Sequence, residues 1–105
     1  MMVERHWSAR LASVDQAAAY AAYFRRIVLP ERTAVSGYRG ARLLQRDLGG
    51  GVEVVVVTRW DSLTAIRAFA GAEVEQAVVH DEAAALFTDY DRTARHFEVV
   101  SDDPL

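Results

Sequence analysis

Four consecutive valines, Val54 to Val57, lie in the middle of the stretch GGGVEVVVVTRW that begins at Gly49. A β-strand sends successive side chains to opposite faces, so a strand with one wet face alternates apolar with polar residues. This run does not alternate. Leaving two of the valines in water would forgo roughly 1.5 kcal/mol each, against a total stability of about 5 to 15 kcal/mol. The fold is therefore required to place a cover on each side of this strand.

The rest of the chain supplies the partners. Residues 4–11, ERHWSARL, are short and β-tolerant and read as a first strand. Ser13 followed by Gln16 fits a capping box that opens a first helix. On that helix Ala17, Tyr20, Ala21, Phe24, Ile27 and Val28 form one apolar stripe at three- and four-residue steps, and Pro30 is expected to end or bend it. YRGARLLQRDL, 38–48, reads as a second strand bulged near Gly40. The glycines 49–51 turn it into the third strand, VEVVVVTRW. Asp61 or Ser62 caps a second helix whose inner side carries Leu63, Ile66, Phe69 and Ala70, with Gly71 at its C-terminus. A short helical piece is expected over DEAAALF and a fourth strand over RTARHFEVV, followed by a frayed polar tail, SDDPL.

This order, β-α-β-β-α-β, predicts an α+β, ferredoxin-like domain over residues 1–100, with a four-stranded antiparallel sheet and a tail at 101–105. Right-handed crossovers put both helices on one sheet face, with strands one and three central. Nothing in 105 residues remains for the other face. A second copy of the chain is the expected cover, as a two-fold homodimer.

Composition removes several classes of chemistry. The chain has no cysteine, lysine or asparagine, and its twelve basic residues are all arginine. Thiolate nucleophiles, iron–sulfur clusters, Schiff bases and most zinc sites are thereby excluded. The net charge of −3, with arginines scattered among acids, argues against a nucleic-acid partner. No window approaches the roughly 18 apolar residues of a membrane span, and MMVERHWSAR lacks the apolar core of a signal peptide, so a cytoplasmic protein without a membrane partner is expected. The three histidines have no spacing that suggests a shared metal.

The layout and particular residues resemble a known family. HWSARL on strand one, VTRWDSLTAIRAFAGAEVEQAVVHDE across the second helix and TARHFEVV at the end are similar to the antibiotic biosynthesis monooxygenases, which are dimeric α/β barrels. The strongest pieces are Trp60, Ser62, Ile66 and Phe69-Ala70-Gly71, then Ala77-Val78 and His96 with Glu98 and Val99. The resemblance implies a pocket between sheet and helices of each subunit, and oxidation of an aromatic, polyketide-type compound. It also brings in haem-degrading relatives. An asparagine on strand one and a tryptophan near the second helix accompany activity in several branches. This chain has no asparagine, Phe69 takes the tryptophan position, and His80 falls one residue from the haem-degraders' histidine. The expectation is accordingly a protein without cofactor.

A dry site for an aromatic substrate needs apolar walls and a few polar groups that accept a proton or pair with an anion. Trp7, Tyr20, Phe24, Tyr38, Trp60, Phe69 and His80 are the candidate substrate-binding residues. His96, Arg59 and His6 are the candidate catalytic ones, with Glu98 on the same strand face as His96. Two other readings use the same pocket. One is a small-molecule-binding or interaction dimer without catalysis, and the other a non-oxidative cyclase or isomerase.

Overall fold

In the computed structural model, which describes residues 2–104, the chain forms a ferredoxin-like α+β fold with one antiparallel sheet. Strands β1 (Val3–Leu11), β2 (Tyr38–Asp47), β3 (Val52–Trp60), β4 (Asp89–Tyr90) and β5 (Arg95–Glu98) are ordered β2-β3-β1, with β4 and β5 both on the far side of β1. Strands β1 and β3 are central and pair without a break from Val3 opposite Trp60 to Leu11 opposite Val52. The register between β2 and β3 slips between Tyr38 and Gly40, and Gly40 takes φ +133°, a conformation open to glycine.

Helix α1 (Val14–Tyr23) starts as its sequence dictates. Ser13 Oγ accepts the Gln16 N–H at 3.2 Å, while Gln16 Oε1 reaches back to the Ala12 N–H. Pro30 does not stop the helix. A π-helical turn at Phe24–Val28 intervenes, in which the Leu29 N–H bonds to the Phe24 carbonyl, and a further helical turn, α2 (Leu29–Thr33), follows with Pro30 in its first turn. Proline, which offers no N–H to the preceding turn and crowds the carbonyl four residues back, is accommodated by the widening of that turn. The wide turn inserts one residue and so rotates everything after it by about 100° around the axis.

Helix α3 (Leu63–Ala70) is capped by Ser62, whose Oγ accepts the Ala65 N–H, while Asp61 pairs with Arg39 instead. The segment expected as a helix from residue 81 to 87 is shorter, α4 (Asp81–Ala84). The expected fourth strand is split into β4 and β5. Between them the Ala94 N–H bonds to the Glu75 carbonyl and the Ala77 N–H to the Arg92 carbonyl, so the chain pairs briefly with the loop after α3 rather than with β1.

The helices cover one sheet face only. Val54 and Val56 point into that core, with Ala9, Leu11, Ala17, Tyr20 and Phe24. A second cluster gathers Val3, Trp60 and Ile66 at the other end. Val55 and Val57 point the other way, where paired charges flank them: Arg59 with Glu4 and Asp102, Arg46 with Glu53, and Arg10 with Asp89 and Asp91. Val57 retains 6% exposure beneath this layer, while Leu44 and Phe97 on the same face remain near half exposed. Asp102 thus ties the expected frayed tail back to the sheet through Arg59, at 2.7 Å. No helix among the described residues is long and apolar enough to cross a membrane.

Candidate functional site

Between the sheet and the helices lies a cavity of about 40 Å³. At roughly 10 to 15 Å³ per water centre it holds about three waters, short of the roughly 150 Å³ that encloses a benzene, so an aromatic ring enters it only as the lining side chains shift. Its floor is the inward face of β1 and β3, where Arg5, Trp7, Val56 and Thr58 alternate toward the helices. Its roof is Tyr20, Tyr23, Val28 and Arg32 from the long helix, with Phe69 from α3 and Val78 to His80 at one end.

Two arginines dominate its electrostatics. Arg5 is 6% exposed and Arg32 is 8% exposed. Arg5 donates from Nη1 to the Val74 carbonyl at 2.6 Å, from Nη2 to the Gln76 carbonyl at 2.8 Å, and lies 2.8 Å from His96 Nε2. Burial, then the neighbouring Arg32, pulls its pKa down to about 10, which leaves it protonated at neutral pH. Burial likewise lowers Arg32, against a partial opposing effect of Glu31. Both guanidiniums lie over Phe69, at 5.7 Å and 4.2 Å from its centroid. The Tyr20 phenol, pushed up to about 12 by burial, stays protonated and is available as a donor.

Of the residues singled out from the sequence, Trp7, Tyr20, Phe69 and His80 line this cavity. His96 stands behind Arg5 rather than in the lining. Phe24 is packed into the main core, and Trp60, with no exposure, plugs the second cluster against Tyr38 and Phe69. His6 and Arg59 project from the opposite sheet face, because they fall out of phase with the inward residues of their strands. There His6 bonds to Glu4 and Arg59 to Asp102. His80 Nε2 sits 3.0 Å from Glu31. Arg5 and Arg32 were not among the sequence candidates. Arg5 had a readable signal, since Val3, Arg5, Trp7, Ala9 and Leu11 share one strand face and a cation among them is out of place. Arg32 had none, because its orientation follows from the π-helical turn.

An antiparallel ferredoxin-like sheet, with helices on one face and a small aromatic-lined cavity beneath them, defines the architecture of a small α+β protein. The chain belongs to the antibiotic biosynthesis monooxygenase family, whose profile matches residues 11–89. Among solved structures it is similar to a candidate antibiotic biosynthesis monooxygenase from Bacillus cereus, at 15% identity over 100% of this chain and 97% of that one, with a TM-score of 0.65. It is also similar to MhuD, a haem-degrader from Mycobacterium tuberculosis solved with two haems in its active site, at 22% identity over 98% and 99%, TM-score 0.62. A variant of MhuD holds two manganese protoporphyrins per active site, at 22% identity over 98% of both chains, TM-score 0.64. Likeness at these identities establishes the fold. No curated protein matches the chain.

These likenesses correct the expectation of a protein without cofactor. The same fold accommodates haem and manganese protoporphyrin in MhuD, so the architecture does not select against one. In this chain the cavity is smaller than even a single benzene ring requires, far below the space of a porphyrin macrocycle, and His80 Nε2 is engaged by Glu31. The side chains as placed do not fit a porphyrin. Among the described residues, no three His, Asp or Glu side chains gather as a metal set.

Proposed function

We propose that the protein binds a compact aromatic molecule of polyketide type in the cavity under its helices and oxidises it as a monooxygenase. The observation that carries this reading is the enclosure of the space by four aromatic rings, Trp7, Tyr20, Tyr23 and Phe69, with two protonated arginines at its edge. Rings on several sides hold a flat substrate and exclude water, and fixed cations in a dry site favour an ionised phenol or enol, the electron-rich form that reacts with dioxygen. Arg5 and Arg32 supply that stabilisation, and Tyr20 adds a hydroxyl donor. His96, which keeps Arg5 in place, acts as a positioning residue.

The test is incubation of the protein with anthrone-type and quinol-type compounds under oxygen. Product formation above a heat-killed control is expected. Turnover equal to that control, with no shift in melting temperature on adding the compounds, removes the reading for those substrates.

A second reading has its own support. His96 accepts from Arg5 at Nε2 and carries its ring proton on Nδ1, so that imidazole offers no free base to the cavity. A binding protein without catalysis needs no such base. A small molecule retained through native mass spectrometry and recovered chemically unchanged favours this reading, and an oxidised product counts against it. In either case the outer sheet face, with Leu44, Val55 and Phe97, is proposed as the contact between two copies of the chain.

A further inference from the structure

Arg5 and Arg32 present a charge imbalance that the chain does not itself resolve. The partners of Arg5 are two backbone carbonyls and a neutral imidazole. Arg32 has one carboxylate within reach, Glu31, at 3.5 Å from Nη1. That carboxylate is nearly half exposed and is shared with His80. The Nε of Arg32 is buried and has no acceptor. Two cations more than nine-tenths buried, close enough to repel each other, face a cavity whose lining contains no acid. Burial of an uncompensated charge is costly, and chains retain it where a ligand supplies the missing partner.

The unpartnered Nε matters for shape as well as charge. The Nε–Nη edge of a guanidinium presents two parallel N–H groups that match the two oxygens of a carboxylate. We propose that the cavity selects an aromatic carboxylic acid, bound as its anion, with the carboxylate paired to the guanidinium of Arg32 beside Arg5 and the ring held among Trp7, Tyr20 and Phe69. This rests on the reading that the cavity is the small-molecule site, and it narrows that reading to a charge and a size. The size is at most a single ring, which the lining side chains must shift to admit.

Salicylate and its neutral analogue salicylamide separate the two. In the wild-type protein at neutral pH, salicylate is expected to raise the melting temperature and, by calorimetry, to bind roughly 10- to 100-fold tighter than salicylamide, the worth of a charge-assisted hydrogen bond. Arg32→Met is expected to bring the two affinities within about threefold, and Arg32→Lys to restore part of the preference. Equal binding of both compounds by the wild type overturns the carboxylate grip while leaving the cavity as a ligand site. Preference unchanged in Arg32→Met overturns it too. No response to either compound at millimolar concentration overturns both. Should Arg32→Met fail to give a cooperative melt, Arg32→Gln replaces it, and the wild-type comparison decides by itself.

Discussion

Nη1 of Arg5 lies 2.8 Å from Nε2 of His96. A guanidinium has only donors, so Nε2 accepts, the ring proton sits on Nδ1, and the imidazole is neutral. Burial, then Arg5, holds His96 below its ordinary value near 6.5, with Glu75 pulling the other way. The unfolded chain takes up a proton near that ordinary value, and the folded chain does so only at lower pH. The stability tied to His96 is therefore complete above about pH 6.5 and is lost as pH falls below it toward the folded value. The wild-type melting temperature is expected to drop between about pH 7 and about pH 5, and His96→Gln to show a shallower slope. Parallel slopes would show that Arg5 tolerates a protonated neighbour.

Arg32→Met tests the cost of the cation without any ligand. Methionine keeps the apolar stem and a favourable sulfur contact with Phe69, and it removes a buried charge whose Nε has no acceptor. A gain of about 1 kcal/mol, or roughly 4 to 8 °C in melting temperature, is expected of the ligand-free protein. A fall of similar size would mean that Glu31 already compensates Arg32.

Trp60 is fully buried, stacks on Phe69 with centroids 5.5 Å apart, meets Tyr38 edge-on, and donates from Nε1 to Thr58 Oγ1 at 2.8 Å. Trp60→Ala is expected to cost about 3 to 5 kcal/mol in denaturant unfolding, a large share of the whole stability. Trp60→Phe retains the stack and is expected to cost less, its loss coming partly from the unpartnered Thr58 hydroxyl. A cost under about 1 kcal/mol for the alanine variant would make Trp60 a surface for ligand rather than a core plug.

Leu44 and Phe97 stand exposed on the sheet face away from the helices. Leu44→Asp and Phe97→Asp each place a charge where the proposed second copy would bury an apolar side chain. Sedimentation of the wild type as a dimer at micromolar concentration, and of either variant as a monomer with an unchanged circular dichroism spectrum, is the expected result. A wild-type monomer ends the proposal.

Several elements were legible because their causes are local. Ser13 and Ser62 cap the helices they precede through hydrogen bonds spanning three residues, and Gly40 marks the bulge where the register slips. The second strand of the hairpin runs from Val52 to Trp60 because its β-branched run is bounded by glycines and a helix cap. Pro30 is expected to end or bend the helix because a proline inside an α-helix is disruptive, and a π-helical turn just before it leaves no signature that periodicity detects.

The sequence by itself determined the order of strands and helices, the caps and turns between them, and the placing of apolar side chains on both faces of β3, since each depends on side-chain period or on bonds between near neighbours in the chain. Only the tertiary structure decided which residues meet in the cavity. Arg5 and Arg32 are brought over the same ring by strand phase, a one-residue insertion in a helix and the docking of α3, and Phe69 belongs to an element that neither arginine precedes or follows directly. A charge left without a partner is a property of three-dimensional surroundings, and no spacing along the chain records it.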